Sequence, residues 1–457
     1  MGKRAAAAVS FGVAFTLILV VVLLQGEKPF YYDAANYWEL GGSFVQDGSF
    51  SLLNFDDALR GYILPLVNGG LAEIADALAW SPSTAVKVFN AAVLALIATV
   101  LAPSLAVLAW PEQRWSLWRR LGLAALLLLF WRSYLNFPLS DFPALAAVLL
   151  ALVATGRSED PRWMLVAGIA TAAAINMRPA YVIVIPVVLG LVAFDWWKRR
   201  GGERVGMARR SLCAVLLLCG FVAISLPQAL ATHRHHDLWS FVPGAAVDLS
   251  SLQFTGGLTV QRYETFVGTG QAGPRMLYED PTGQRLLAQR DDGTIEDAGE
   301  YLEVVASHPL GMAGLFVRHV INGLDQRYST PYIETIDTGS QRWLRLLGFL
   351  LVFLALLRLA WPAARRGLGL ARWRYPVALA LCSLPSIASA VETRFLLPVY
   401  LLAYVLVLAP GWPSPLASAR PVRVRVGAAA LVLTAFAVYM AVVLYVVGNA
   451  TDHLRFA

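Results

Sequence analysis

Apolar residues along this chain fall in long unbroken runs, separated by short polar stretches and two long ones. From Ala5 to Leu24 no residue is charged, which matches a bilayer core that takes about 20 apolar residues to cross. Further runs extend approximately over Thr84–Trp110, Leu121–Leu135, Phe142–Ala154, Trp163–Met177, Ala180–Trp197, Leu212–Leu230, Trp343–Trp361, Tyr375–Ala390, Phe395–Leu408 and Val426–Val447. The pattern predicts an all-α polytopic membrane protein with about eleven transmembrane helices. Lys3 and Arg4 precede the first run, but "LLQGEKPF" offers no small-residue cleavage site, so a retained first span is expected.

The two long polar stretches have patterns of their own. Between residues 25 and 82, Tyr37, Leu40, Gly41, Phe44 and Val45 recur at helical spacing, which predicts a helix lying in the membrane interface. A second apolar stripe, Leu59, Tyr62, Ile63, Leu66 and Val67, is interrupted by Pro65 and by Gly69-Gly70 and is too broken to span. Residues 231–341 exceed an ordinary connection. Their Leu302, Val305, Leu310, Leu315, Phe316 and Leu324 predict a folded cap with one or two surface helices. The expected organisation is an N-terminal transmembrane module (1–230), the cap loop (231–341) and a C-terminal transmembrane module (342–457).

Charge adds sidedness. Arg114, Arg119 and Arg120, Arg157 and Arg162, the run "KRRGGERVGMARR" from Lys198, Arg365, Arg366, Arg372 and Arg374, and Arg420, Arg423 and Arg425 all fall on one side of this span count. Lys and Arg collect in cytoplasmic loops. The N-terminus is therefore expected in the cytoplasm, and the C-terminus and both long loops outside. Composition agrees: 58% of residues are hydrophobic, 15% are charged and mean hydropathy is +0.59, against about 25% charged in soluble domains. The formal charge of +7 is spread over these loops, which excludes the single basic face of a nucleic-acid binder. Cys213, Cys219 and Cys382 lie inside predicted spans and read as packing residues.

The chemistry-bearing candidates cluster where spans are expected to emerge outside. Asp33 follows the first span and reads either as a general base for an acceptor hydroxyl or as the N-cap of a helix beginning at Ala34. Asp141, at the start of the fourth span, is a second carboxylate or another cap. Arg178 and Arg394 sit at outer span ends and Arg60 in the first loop. Guanidinium groups grip phosphate, while snorkelling or an internal Glu392 to Arg394 pair is the plainer alternative. His233, His235 and His236 could meet a headgroup or a metal. Tyr37, Trp239 and Tyr263 could stack on a sugar ring or belong to the aromatic belt.

In order and sidedness, "YYDAANYWELGGSFVQDGSF" after the first span, "SDFPALAAVLLAL", "GIATAAAINMRPAYVIVIP" and "ETRFLLPVYLLAYVL" resemble the GT-C class of membrane glycosyltransferases. The chain is most similar to the bacterial branch that includes protein O-mannosyltransferases and the lipid A aminoarabinose transferase. The resemblance implies a GT-C-like fold in a bacterial plasma membrane. It implies transfer, with inversion, of a sugar from a polyprenyl-phosphate carrier to a glycan, lipid or protein acceptor. Asp33 matches the family's base, and Arg178 and Arg394 match its phosphate contacts by position. The residues themselves add Asp141 as a candidate second acid, Arg60 as a third candidate phosphate contact, and Tyr37, Glu392, His233 and Tyr263 as candidate sugar or acceptor contacts. Many relatives carry a second acidic residue directly after the first, where this chain has Ala34. No metal or other cofactor is therefore expected, although metal use stays open. The competing readings are a transporter or flippase for a lipid-linked sugar, disfavoured because no internal repeat is evident, and a glycan ligase or polymerase.

Overall fold

A computed structural model describes residues 3–112, 114–198, 206–247, 249–271, 273–290, 292–336, 341–360, 370–409 and 422–457. The chain is predominantly helical and forms two compact units, residues 1–249 with 372–385, and residues 250–371 with 386–457. Residues 231–249 thus group with the N-terminal helices, and the rest of the expected cap groups with most of the C-terminal helices. Among the described residues six helices are long and apolar enough to cross a membrane: Ala5–Leu23, Pro82–Ala109, Pro179–Lys198, Met207–His236, Arg342–Ala360 and Val426–Asp452. Each coincides with an expected span. The other five expected spans overlap shorter helices of 12 to 17 residues, Leu117–Trp131, Asp141–Thr155, Pro161–Met177, Leu370–Leu381 and Leu397–Leu408; the expected Tyr375–Ala390 span is broken after Leu381 and resumes only as the short helix Leu384–Ile387. Arg199, Arg200, Arg204, Arg365, Arg366 and Arg420 of the expected cytoplasmic loops lie outside the described residues.

In the first unit, α1 (Lys3–Leu23) is followed by α2 (Tyr32–Glu39). The predicted surface helix ends sooner than its periodicity suggests. A tight hairpin, β1 (Val45–Gln46) and β2 (Ser49–Phe50), turns on Asp47-Gly48 with both residues at positive φ, a backbone that Asp-Gly adopts readily. Phe44 leaves the helical stripe to pack with Phe55 and Tyr62 in a small buried core. The second stripe forms α3 (Ile63–Ala77), with Pro65 tolerated near its start because the first-turn N–H groups have no partners in the helix. Next, α4 (Pro82–Leu96) is capped by Ser81, whose hydroxyl accepts from Thr84 N. A π-turn over Ile97–Leu101 joins it to α5 (Ala102–Ala109), just ahead of Pro103, which lacks an N–H to donate.

The remaining helices of this unit are α6 (Leu117–Trp131), α7 (Asp141–Thr155), α8 (Pro161–Met177), α9 (Val184–Lys198) and α10 (Met207–His236). Gly168 and Gly220 let α8 and α10 touch backbone to backbone, because a Cβ on either would collide with a main-chain oxygen of the other helix, Leu217 or Leu165. Small residues at a helix crossing provide dispersion contact where lipid supplies no hydrophobic drive. The same logic places Gly41 against Gly69, which seats the end of α2 on α3.

The second unit contains α11 (Leu249–Thr259), β3 (Val260–Phe266), β4 (Arg275–Glu279), α12 (Pro281–Leu287), α13 (Ala298–Ser307), α14 (Pro309–Gly323), β5 (Tyr332–Ile333), α15 (Arg342–Ala360), the later helices Leu397–Leu408 and Val422–Asp452, and β6 (Leu454–Phe456). Its four-stranded sheet runs β5-β3-β4-β6, with β3 and β5 parallel and the other pairs antiparallel. The helical reading of the cap contains no such sheet, because its outer strands are two and three residues long and come from distant parts of the chain. Phe266, Met276, Tyr328 and Ile333 form a buried cluster on the sheet, and Leu258, Leu287, Ile295, Tyr301, Met312 and Leu315 form a second core among the helices of this unit.

Candidate functional site

Asp33 is not a helix cap. Helix α2 begins two residues earlier than the sequence suggests, with Tyr31 at the N-cap and no side-chain cap bond, and Asp33 lies in its first turn. Its carboxylate accepts from Arg60 Nη2 at 2.7 Å. The Asp33 side chain is 40% exposed and Arg60 only 14%, so the carboxylate is accessible while its cation is enclosed. Arg60 lies over the Tyr37 ring, 4.4 Å from its centroid. Burial pulls the Arg60 guanidinium down, but Tyr37 and Asp33 together hold it above the usual arginine value. Tyr32, immediately before Asp33, has φ of 40°. A bulky residue there is strained, and such strain collects at functional sites.

Arg60 is held by contacts that sequence patterning misses. Arg60 N donates to Asp57 Oδ1 at 2.6 Å. Gly61 sits against the Asn176 carbonyl, where no Cβ fits. Asn176 Oδ1 accepts from Ile63 N at 2.9 Å, and its amide donates to Gln228 Oε1 at 2.9 Å. Gln228 Oε1 also accepts from Tyr62 N at 3.3 Å. The Tyr62 hydroxyl donates to Ile224 O at 3.0 Å, and burial pushes its phenol up to about 12. Asn176 and Gln228 read as isolated polar residues in apolar runs. Their depth in predicted spans is the one signal that could have marked them.

Two residues beyond Asn176, Arg178 pairs with Asp141 through its Nη1. Asp141 is 1% exposed and is the first residue of α7, with Ser140 at the N-cap. With Ser140 at the N-cap, Asp141 is not the cap of α7; its carboxylate is the buried partner of Arg178. Phe137, four residues before Asp141, lies 6.4 Å from the Tyr31 ring. The Asp33 loop and the α7 and α8 ends are therefore neighbours within this unit.

No family model matches this chain, and no curated protein matches it in sequence.

The other expected contacts are placed as follows. His233 stacks on Trp239, with ring centroids 4.3 Å apart. His235 and His236 ring nitrogens meet the Leu53 and Asp56 carbonyls at 2.8 and 3.0 Å, tying α10 to the first loop. Among the described residues, no group of three or more His, Cys, Asp or Glu is arranged to hold a metal. In the second unit, Arg394 Nε and Nη2 donate to both oxygens of Glu392 at 2.5 and 2.9 Å. Glu392 is 3% exposed and is committed to this internal pair, which is the plainer of the two expectations for it. Tyr263, on β3, meets the Phe395 ring edge-on at 6.2 Å.

Beside this pair lies a buried network absent from the sequence reading. The two-residue alternation of a strand puts Arg262 and Glu264 on one face of β3. Arg262 Nη2 donates to Glu264 Oε1 at 2.6 Å, and its Nη1 lies 3.2 Å from Asp325 Oδ2. Arg345 closes the group with two 2.8 Å bonds to Asp325. Burial pushes the Glu264 carboxyl up against the opposing pull of Arg262. With both ends of each pair enclosed, this network serves structure.

Proposed function

We propose that the protein is a glycosyltransferase of GT-C type in a bacterial plasma membrane, with all eleven expected helical segments embedded and the first loop on the extracytoplasmic side. It transfers a sugar from a polyprenyl-phosphate carrier to a cell-envelope acceptor. The observation that carries this reading is the Asp33 carboxylate: exposed, next to strained Tyr32, fixed by enclosed Arg60, and next to the end of α8 that bears Arg178. The resemblance in sequence order supports it, and so does the one-sided distribution of Lys and Arg.

In the proposed reaction an acceptor hydroxyl oxygen attacks the anomeric carbon, and the bond from that carbon to the phosphate oxygen breaks. The acceptor proton passes to Asp33, and polyprenyl phosphate leaves. Arg60 aims the carboxylate. Arg178, held by Asp141, faces the leaving phosphate, since a guanidinium has five N–H donors and can serve a carboxylate and a phosphate together. Arg394, tied to Glu392, stiffens the entry to the Leu397–Leu408 helix.

The test is sugar transfer by purified protein in liposomes from a panel of synthetic polyprenyl-phosphate sugars. Asp33→Asn should fold, as judged by gel filtration and melting temperature, and should lose about 100-fold to 10,000-fold in rate. A folded Asp33→Asn protein with the native rate overturns Asp33 as base. Lipid-linked sugar crossing the bilayer unchanged in both proteins overturns the transferase reading in favour of transport.

A further inference from the structure

Helices α8, α9 and α10, with Phe241, line a groove of about 560 Å³ that Arg178 does not line. Thr171, Val188, Val192, Leu217, Leu218 and Phe221 are among its lining residues. The Thr171 hydroxyl is already bonded to Ala167 O at 2.7 Å, so the wall offers water almost nothing. Two of the three helices belong to segments apolar enough to cross a membrane, Pro179–Lys198 and Met207–His236. The medium around the groove is therefore hydrocarbon, and hydrocarbon fills it.

The ends of the groove differ in charge. Along α10, Ala214 and Leu218 follow Arg210 at spacings of four, and Leu217 and Phe221 follow Ala214 and Leu217 at spacings of three and four, which puts Arg210 on the stripe that lines the cavity. Arg209 adjoins it, whereas Lys198, two residues past the lining residue Trp196, falls on another face of α9. Lys198 and Arg209 are exposed and Arg210 is half-buried. Of the nearby acids, Asp195 pairs with Arg374, while Asp160, which accepts from Arg162 N at 3.0 Å, and Glu159 lie near Cys213 together with Arg209. Arg178 lies beyond the opposite end of α8, a helix of 17 residues and so about 25 Å long at 1.5 Å per residue.

We infer that this groove is a binding site for one anionic phospholipid, its acyl chain between α9 and α10 and its phosphate at Arg210, with Arg209 beside it. The site is separate from that of the sugar donor, whose phosphate the proposed reaction places at Arg178. The inference rests on the protein being membrane-embedded and is independent of whether it transfers sugar. A basic side chain near an anionic headgroup contributes roughly a fivefold preference, and the apolar groove supplies the chain affinity.

The measurement is native mass spectrometry and melting temperature of the delipidated full chain after adding dioleoylphosphatidylglycerol, dioleoylphosphatidylcholine or undecaprenyl phosphate. One phosphatidylglycerol should remain bound per chain and raise the melting temperature above that with phosphatidylcholine. Ala193→Trp and Ala214→Trp place a large ring on exposed walls of the groove and should abolish that bound lipid while the apo melting temperature holds. Arg210→Gln should keep chain binding but reduce the phosphatidylglycerol preference roughly fivefold. Equal retention of both phospholipids by the native chain, or undiminished binding in both tryptophan variants, overturns the proposal. Displacement of the bound phosphatidylglycerol by equimolar undecaprenyl phosphate also overturns it, since the groove would then belong to the donor's chain.

Discussion

Arg60 Nη2 reaches across 27 residues of sequence to donate to Asp33 Oδ1 at 2.7 Å, and the Tyr37 ring beneath the guanidinium leaves it a narrow choice of positions. An accessible carboxylate aimed by an enclosed arginine is an arrangement of orientation more than of stability, because a partly exposed pair contributes little to folding.

Replacing Arg60 by Lys keeps the charge and discards the planar fork and the stacking face. Arg60→Lys should leave the melting temperature near the native value and lower kcat for sugar transfer about 10-fold to 100-fold, a cost of the size expected when a reacting group is misplaced by about 1 Å. An effect on KM alone would show that Arg60 acts on donor binding and does not aim Asp33.

For Asp141 and Arg178 the expectation is reversed. Asp141 is 1% exposed, and removing one partner of a buried pair costs about 3–5 kcal/mol because the other charge is left without compensation. Asp141→Asn should lower the melting temperature of the purified protein by several degrees. Asp141→Asn with Arg178→Gln should recover most of that loss while donor affinity stays poor, so thermal unfolding and KM together separate support from phosphate contact.

Gly61 tests how the first loop is seated. A Cβ there meets the Asn176 backbone, which cannot move without breaking the Asn176–Gln228 bond. Gly61→Ala should destabilise by about 1–3 kcal/mol, as overpacking does, and should also lower transfer by displacing Arg60. Gly70→Ala, in α3 with open space around its Cβ position, is the matched control and should leave transfer unchanged while raising stability by up to about 1 kcal/mol, as Gly to Ala does inside a helix.

In the second unit, Arg262 is 2% exposed and holds Glu264 and Asp325. Arg262→Met should cost about 3–5 kcal/mol by leaving those carboxylates enclosed without their cation. Limited proteolysis within residues 250–336, compared with the native chain, reads the loss.

The sequence by itself determined that the chain belongs in a membrane and where its six long apolar helices run, because a bilayer leaves backbone groups no partner except within the segment, and an uninterrupted apolar run of 20 residues has few other uses. It also singled out Asp33, Arg60 and Tyr37 as separate candidates, since a charge beside a span stands out against its surroundings. Only the tertiary structure joined those three, moved the start of α2 from Ala34 to Tyr32, and turned Asp141 from a candidate acid into the buried partner of Arg178. It alone revealed Asn176, Gln228 and the Arg262 network. Periodicity reports which face of an element is apolar, whereas ion pairs and amide bonds between residues 27 to 113 positions apart depend on which elements meet. That is settled by close approaches such as Gly61 on Asn176 and Gly168 on Leu217, where the absence of a side chain leaves no periodic mark.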